Sequence, residues 1–348
     1  MTGTRVGARP RRDGEGERME SLDELGARLE PFIREHTGDP HARVTSVERG
    51  PGHAGFSYFF EVVSDGLLAS YFLRLPPPGV KLEGTADLVR QVTAIRALRD
   101  TAVPHAPILW AGTDERWFGA PYFIQPRLEG DTLKDEYPGQ FSDDQLRAMA
   151  REAIGALAGI HRVEAAAVPY LGEYWGYRFD VERWDRFAER AAEPELLALQ
   201  PRVKQLLLDN IPGDARSGLY HGDFQWTNLL YSPRGRLSAV IDWELCGIGP
   251  VMNDLGWICL FSDRAAWAHE TNHRMPAGDE LEAWYREEWG EVAGDARWFK
   301  ALAGYKFAII TGFNLMLHRR GKRDDPHWEI VKPSMQSNME YALAMLGG

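Results

Sequence analysis

One segment constrains this chain more than any other. It reads Leu219-Tyr-His221-Gly-Asp223-Phe-Gln225-Trp-Thr-Asn228-Leu-Leu-Tyr231, then Ser232-Pro-Arg-Gly235, then Leu237-Ser-Ala-Val-Ile241-Asp242-Trp-Glu244. Leu229–Tyr231 and Leu237–Ile241 are short apolar runs joined by a Pro/Gly turn, which predicts a hairpin. A hairpin brings its two outer ends together. Asn228 stands just before the first strand and Asp242 just after the second, so the two should lie side by side. Asp223 falls on the loop entering the same hairpin. A carboxylate, an amide oxygen and a second carboxylate then converge on one spot. These are hard oxygen donors, suited to Mg²⁺ bridging substrate phosphates. The remaining carboxylate can orient a hydroxyl and accept its proton.

The rest of the chain divides around this island. Before Gly130, Arg43–Arg49, Phe56–Val63, Leu68–Leu75, Ile108–Gly112 and Pro121–Arg127 read as strands, with Ser64-Asp65-Gly66 as a turn. Residues 85–99 have helical spacing, with Leu88, Val92, Ile95 and Leu98 on one face. Residues 40–127 are therefore expected to form a mostly antiparallel sheet with one helix. After Gly130 the pattern is mainly helical. Ser142 is placed to cap a helix over Asp143–His161, buried along Leu146, Met149, Ala150, Ala153, Ile154 and Leu157. Residues 194–209, 279–290, 296–318 and 333–346 are further helix candidates, and 219–243 is the one β-rich island among them. Residues 1–20 mix Arg with Asp and Glu and carry almost no large apolar side chain, so they are expected to be disordered. Met19 is an alternative start. The expected organisation is a tail over 1–20, a nucleotide-binding N-lobe over 21–127, and a C-lobe over 128–348 holding the catalytic loop and the acceptor site.

Gly50-Pro-Gly52-His-Ala-Gly55 fits G-x-G-x-x-G, in a chain with 35 glycines. A dinucleotide fingerprint must open a helix, but the residues that follow, Phe56-Ser57-Tyr58-Phe59-Phe60, are strand-like. Strand, glycine turn, strand can lay backbone N–H groups over nucleotide phosphates. The same pattern also suits an ordinary hairpin turn, and this segment alone leaves both readings open.

H-G-D-x-x-x-x-N followed by I-D-W-E resembles the catalytic and metal motifs of the aminoglycoside phosphotransferase and choline kinase group, distant relatives of protein kinases. Both motifs occur in order with a hairpin between them, and the resemblance covers roughly residues 40–260. Phe72-Leu-Arg74-Leu-Pro-Pro-Pro-Gly79 and Asp242-Trp-Glu244 look like a bacterial branch related to the kinase-like region of acyl-CoA dehydrogenase fusions. The resemblance implies an α+β, protein-kinase-like two-lobed fold, with a small antiparallel β-rich N-lobe and a larger α-helical C-lobe. It implies Asp223 as the catalytic base or hydroxyl-orienting residue, and Asn228 and Asp242 as Mg²⁺ ligands. It places Gly52, Gly55 and Ser57 over the phosphates of ATP or GTP, and Gln125 and Arg127 at the connector that meets the base. His221 is then structural, and Asp254 braces the catalytic loop from a helix. Gln225, Glu244, Trp226 and Trp175 are candidates for contact with the metal, the phosphates or the acceptor. Two departures stand out. Arg74 occupies the place of the usual strand Lys, and Gln91 that of its usual Glu partner; Arg can still clamp phosphate bidentately. The implied activity is transfer of the γ-phosphoryl to a small-molecule alcohol. The rival is an inactive nucleotide-binding pseudokinase, which rests on Arg74 and Gln91.

Composition narrows the field. The chain has 348 residues, with Lys+Arg 40 against Asp+Glu 51 and a net charge of −11. That balance argues against a nucleic-acid partner, which requires a basic face. Two cysteines, Cys246 and Cys259, cannot build a disulfide framework, so a reduced cytoplasmic setting is expected. The longest apolar run, Phe307–Leu317, is interrupted and is too short for a membrane span of about 20 residues. No G-x-S-x-G nucleophile elbow occurs, which discards an α/β-hydrolase. Ten of the twelve tryptophans follow residue 170; they suit core packing singly and an acceptor with apolar surface collectively. Residues 279–295 are acidic and 318–323 are basic, so the charge of the acceptor is left open.

Overall fold

The computed structural model describes residues 21–50, 56–134, 137–213, 216–269, 274–290 and 295–347. The tail over 1–20, and Gly52 and Gly55 with it, lie outside the described residues. The chain divides into two compact units. One is the described chain up to Leu88 together with Leu109–Pro126; the other is Val89–Ile108 together with Arg127 onward.

The first unit holds α1 (Leu22–Thr37), β1 (Arg43–Arg49), β2 (Phe56–Ser64), β3 (Leu67–Leu75), β4 (Trp110–Gly112) and β5 (Tyr122–Pro126). The strands form one sheet in the order β1-β2-β3-β5-β4, and every neighbouring pair is antiparallel. Helix α1 was not anticipated. Its signal is a capping box, Ser21 with Glu24, whose side chain and backbone bonds are both made. Leu25, Leu29, Phe32 and Ile33 bury its apolar stripe in one core with Tyr58, Phe60, Leu73, Tyr122 and Ile124. Alternation along the strands turns Ser57, Phe72, Arg74, Phe123 and Gln125 to the opposite face.

The second unit begins with α2 (Leu88–Ala97), β6 (Asp131–Thr132), α3 (Asp143–His161), α4 (Tyr177–Glu182), α5 (Asp185–Ala188) and α6 (Gln200–Asp209). The catalytic island follows as β7 (Ser217–Tyr220), β8 (Leu229–Tyr231), β9 (Leu237–Val240) and β10 (Gly247–Pro250). Helices α7 (Met252–Leu260), α8 (Gly278–Trp289), α9 (Ala296–Arg319), α10 (His327–Val331) and α11 (Ser334–Met345) complete it. The capping box at Ser142 forms with Gln145, and all six residues of the expected α3 stripe are buried. The helix expected over 194–209 is instead a 3-10 turn, Pro194–Leu197, followed by α6, because Pro201 sets a new first turn. The division falls between Pro126 and Arg127, beside the expected boundary, but it also takes Val89–Ile108 out of the smaller unit. Residues 89–108 group with the larger unit because Ala94, Ile95, Leu98 and Val103 are buried in its core. Glycine matters at the α7–α9 crossing: a Cβ on Gly256 would lie 2.5 Å from the Phe299 backbone.

Candidate active site

The hairpin β8–β9 forms as expected. Leu229 lies opposite Val240, and the Ile241 N–H donates to the Asn228 carbonyl at 3.0 Å. Asn228 and Asp242 therefore flank one rung of the ladder. The Asn228 amide nitrogen donates to both the Asp223 carbonyl (2.9 Å) and Asp223 Oδ2 (2.8 Å). This commits its NH₂ to the catalytic loop, and its Oδ1 has no hydrogen-bond partner among the described residues. Asp242 leaves the strand in the left-handed region, φ 62° and ψ 64°. Its carboxylate is exposed and makes no hydrogen bond or ion pair among the described residues. A non-glycine residue held at positive φ with an unpaired carboxylate is a strained, aimed group. The free Asn228 oxygen and the Asp242 carboxylate are the donor types Mg²⁺ takes.

Asp223 is held from two more sides. Trp257 Nε1 donates to Oδ1 at 2.7 Å and Gln225 Nε2 to the same oxygen at 2.8 Å. Burial pushes the Asp223 pKa up and the nearby Asp242 carboxylate adds to this, while the Trp257 and Gln225 bonds and His221 oppose it. A carboxylate with a raised pKa is a better proton acceptor near neutral pH. Trp257 was missed in the sequence, although it stands one helical turn after Asp254 on the same face of α7.

Beneath the loop lies a brace. His221 donates from Nε2 to the Ile241 carbonyl (2.9 Å) and accepts from the Asp223 N–H at Nδ1 (3.2 Å). Both ring nitrogens are engaged and the residue is buried. Asp254 accepts from the His221 N–H at 2.6 Å and the Gly222 N–H at 2.8 Å. His161 Nε2 adds a third bond at 3.2 Å, and its Nδ1 accepts from the Tyr285 hydroxyl at 2.7 Å. Burial pushes the His161 pKa down, so the ring is a neutral donor. Burial also pushes Asp254 up, but the donors around it outweigh this and hold its carboxyl below the usual range. His161 and Tyr285 carried no local sequence signal, since His161 reaches Asp254 from α3 and Tyr285 reaches His161 from α8. Gly222 has φ 89°, and a Cβ there would lie 2.2 Å from the Leu245 carbonyl oxygen. Only glycine permits this approach.

In the first unit, β1 and β2 pair with Arg49 opposite Tyr58, and the Gly50 N–H donates to the Ser57 carbonyl at 2.8 Å. Gly50 closes the described end of β1, and residues 51–55 of the glycine run lie outside the described residues. Arg74 Nη1 donates to Ser57 Oγ at 2.8 Å, and Gln125 pairs across from Phe72. Ser57, Arg74 and Gln125 share one sheet face. Gln91 is buried on α2 in the second unit, and Arg127 also falls in that unit. Trp226 is buried and donates to Ser262 Oγ at 3.2 Å. Glu244 is half-buried. Trp175 is 74% exposed and meets Phe179 edge-on.

A small antiparallel sheet unit, and a helical unit whose hairpin carries Asp223, Asn228 and Asp242, together define a kinase-like fold. The chain belongs to the phosphotransferase enzyme family, whose model matches residues 48–294. Among curated proteins it is 30% identical over 223 residues to a probable acyl-CoA dehydrogenase, IBR3, of Arabidopsis thaliana. That match takes in 61% of this chain and 27% of the longer plant protein. A solved structure from Ralstonia eutropha, assigned to the aminoglycoside phosphotransferases, superposes with a TM-score of 0.72 at 24% identity. The superposition covers 91% of this chain and 98% of that one. The aminoglycoside phosphotransferase APH(4)-Ia, solved as a ternary complex with AMP-PNP and hygromycin B, gives 0.58 at 16% identity, covering 92% and 98%. No helix among the described residues is long and apolar enough to cross a membrane.

Proposed function

We propose that this chain is a small-molecule kinase that moves the γ-phosphoryl of ATP or GTP to a hydroxyl of a small molecule, with Mg²⁺. The observation that carries the reading is the Asp223–Asn228–Asp242 arrangement. One carboxylate is half-buried, hydrogen-bonded and raised in pKa; an amide oxygen and a strained carboxylate have no partners among the described residues. Asp223 accepts the acceptor's hydroxyl proton as the alcohol oxygen bonds to the γ-phosphorus. The bond from that phosphorus to the leaving nucleotide diphosphate breaks. Asn228 Oδ1 and Asp242 would hold Mg²⁺, which when bound spreads the charge of the phosphate oxygens. Arg74, steadied by Ser57, and the glycine connection supply positive charge and N–H donors for the nucleotide. A nucleotide analogue in the complex of APH(4)-Ia supports the same donor class here. Catalysis by such a site is mainly positioning and charge stabilisation. The two cysteines are free and buried, which fits a cytoplasmic setting.

The test is a thermal-shift titration with ATP, GTP and ADP, with and without Mg²⁺, on wild type and Asp242→Ala. A ligand at 100 times its Kd stabilises by about 2.7 kcal/mol. A Mg²⁺-dependent shift that disappears in Asp242→Ala identifies the donor. No shift with any nucleotide overturns the reading. A shift without turnover on any alcohol moves the chain to the pseudokinase class, which Arg74 and Gln91 favour.

A further inference from the structure

Lys306 lies on α9 with its ammonium 5.7 Å from the ring centre of Trp184 and 5.5 Å from that of Trp257. It forms no ion pair or hydrogen bond among the described residues. Four charged groups act on it: Asp180, Arg183, Asp254 and Asp223. None of them neutralises it in contact. Asp180 is taken by Arg183 at 2.8 Å, Asp254 by the brace, and Asp223 by its three donors. Burial dominates and pushes the Lys306 pKa down. An unpaired, half-buried ammonium is costly unless something anionic arrives.

The neighbouring Trp184 carries a second donor, an Nε1 that is buried without a hydrogen-bond partner. One ring joins this group to the chemistry: Trp257 stacks under Lys306 and donates to Asp223 Oδ1. Lys306, without an ion pair or hydrogen bond among the described residues, thus shares the Trp257 indole with the proposed base.

We propose that Lys306, with Trp184 and Trp257 beside it, is the specificity-determining residue of the acceptor subsite, and that it binds an anionic oxygen group, a carboxylate or a phosphate, on the alcohol to be phosphorylated. This rests on the reading of Asp223 as the base. The subsite disfavours amino alcohols and ammonium-rich acceptors, because they would bring like charge against Lys306. The flanking indoles give the acceptor's carbon chain an apolar surface.

The test uses binding probes, so that it does not depend on knowing the acceptor. Hexanoate, hexyl phosphate, hexanol and hexylamine are titrated by thermal shift into the full chain, wild type and Lys306→Met. The Mg²⁺-nucleotide shift is measured in parallel on both proteins. The expected result is saturable stabilisation of wild type by hexanoate or hexyl phosphate but not by hexanol or hexylamine. Lys306→Met should weaken that binding roughly tenfold or more, the scale of one hydrogen bond to a charged group. Its nucleotide shift should be unchanged. The stronger of the two anions tells carboxylate from phosphate. Equal responses to hexanoate and hexanol, or no response to either anion, overturn the proposal, as does an unaltered response in Lys306→Met. Methionine removes a half-buried charge and nearly keeps the length, so the variant should fold; Trp184→Phe, which deletes the orphaned Nε1 together with two ring carbons, should also weaken binding of the anion. Loss of the nucleotide shift in wild type would instead overturn the kinase reading.

Discussion

Asp254→Asn tests the brace under the catalytic loop. In the wild type, Oδ1 accepts from the Gly222 N–H, and Oδ2 accepts from both the His221 N–H and His161 Nε2. Asp254 is 1% exposed, so water cannot replace a lost partner. Asparagine keeps one oxygen and turns the other into NH₂. With the oxygen in the Oδ2 place, the His221 and His161 bonds persist and the Gly222 N–H faces another donor. One orphaned donor costs about 1–3 kcal/mol, and each surviving bond drops from about 1.5–3 to about 1 kcal/mol as its acceptor loses charge. The sum is a loss of about 2–7 kcal/mol. At about 2–4 °C per kcal/mol for a unit of this size, Tm falls by about 4–28 °C. Alanine orphans all three donors and approaches the whole stability of a domain, about 5–15 kcal/mol. The pH dependence has a definite sign. Because the folded-state pKa of Asp254 is depressed, its stabilisation is complete above the usual carboxylate value and is lost as pH falls through the depressed one. Wild type should therefore show a steeper acid limb in Tm against pH than Asp254→Asn. The assay is thermal melting followed by circular dichroism, from neutral pH down through the carboxylate range. An Asp254→Asn protein melting within about 2 °C of wild type, with the same acid limb, refutes the reasoning.

Three other outcomes are expected. Gly222→Ala combines positive φ with a Cβ 2.2 Å from the Leu245 carbonyl oxygen; strain alone is about 1–3 kcal/mol, so Tm and turnover should both fall, as melting and a coupled nucleotide assay would read. Asp223→Asn should abolish turnover yet melt higher than wild type at neutral pH, because burial disfavours the ionised form; a lower Tm would mean that the lost Asn228 bond outweighs it. Arg74→Ala removes the bond to Ser57 Oγ and should raise the KM for nucleotide more than it lowers kcat, measured by steady-state kinetics at saturating acceptor.

Much of this molecule was legible because it is locally encoded. The hairpin β8–β9 is set by two apolar runs and a turn, and it carries Asn228 and Asp242 to adjacent places. The cap and stripe of α3 were readable for the same reason. Helix α1 had a readable capping box, but it adjoins a polar tail that drew attention away from it. His161 and Tyr285 were beyond reach, since a bond between residues 93 apart, His161 and Asp254, leaves no periodic mark on either segment. Trp257 and Lys306 are intermediate. Helical spacing puts Trp257 beside Asp254, but only the α7–α9 packing brings Lys306 over its ring.

The placement of α2 bears on how this protein can be cut. Arg90 Nη2 donates to the Cys246 carbonyl at 2.7 Å, and the Val240 N–H donates to the Pro104 carbonyl at 2.9 Å. Ala94, Ile95, Leu98 and Val103 fill part of the helical core. A fragment starting at residue 128 would lack all of these. Three large apolar side chains at about 1.5–3 kcal/mol each amount to about 5–9 kcal/mol, most of what a domain has to spare. The catalytic unit is thus discontinuous in the chain. Its independent form is a polypeptide in which 89–108 is retained and spliced ahead of 127, and any dissection that follows the linear order of the lobes leaves a hole where α2 belongs.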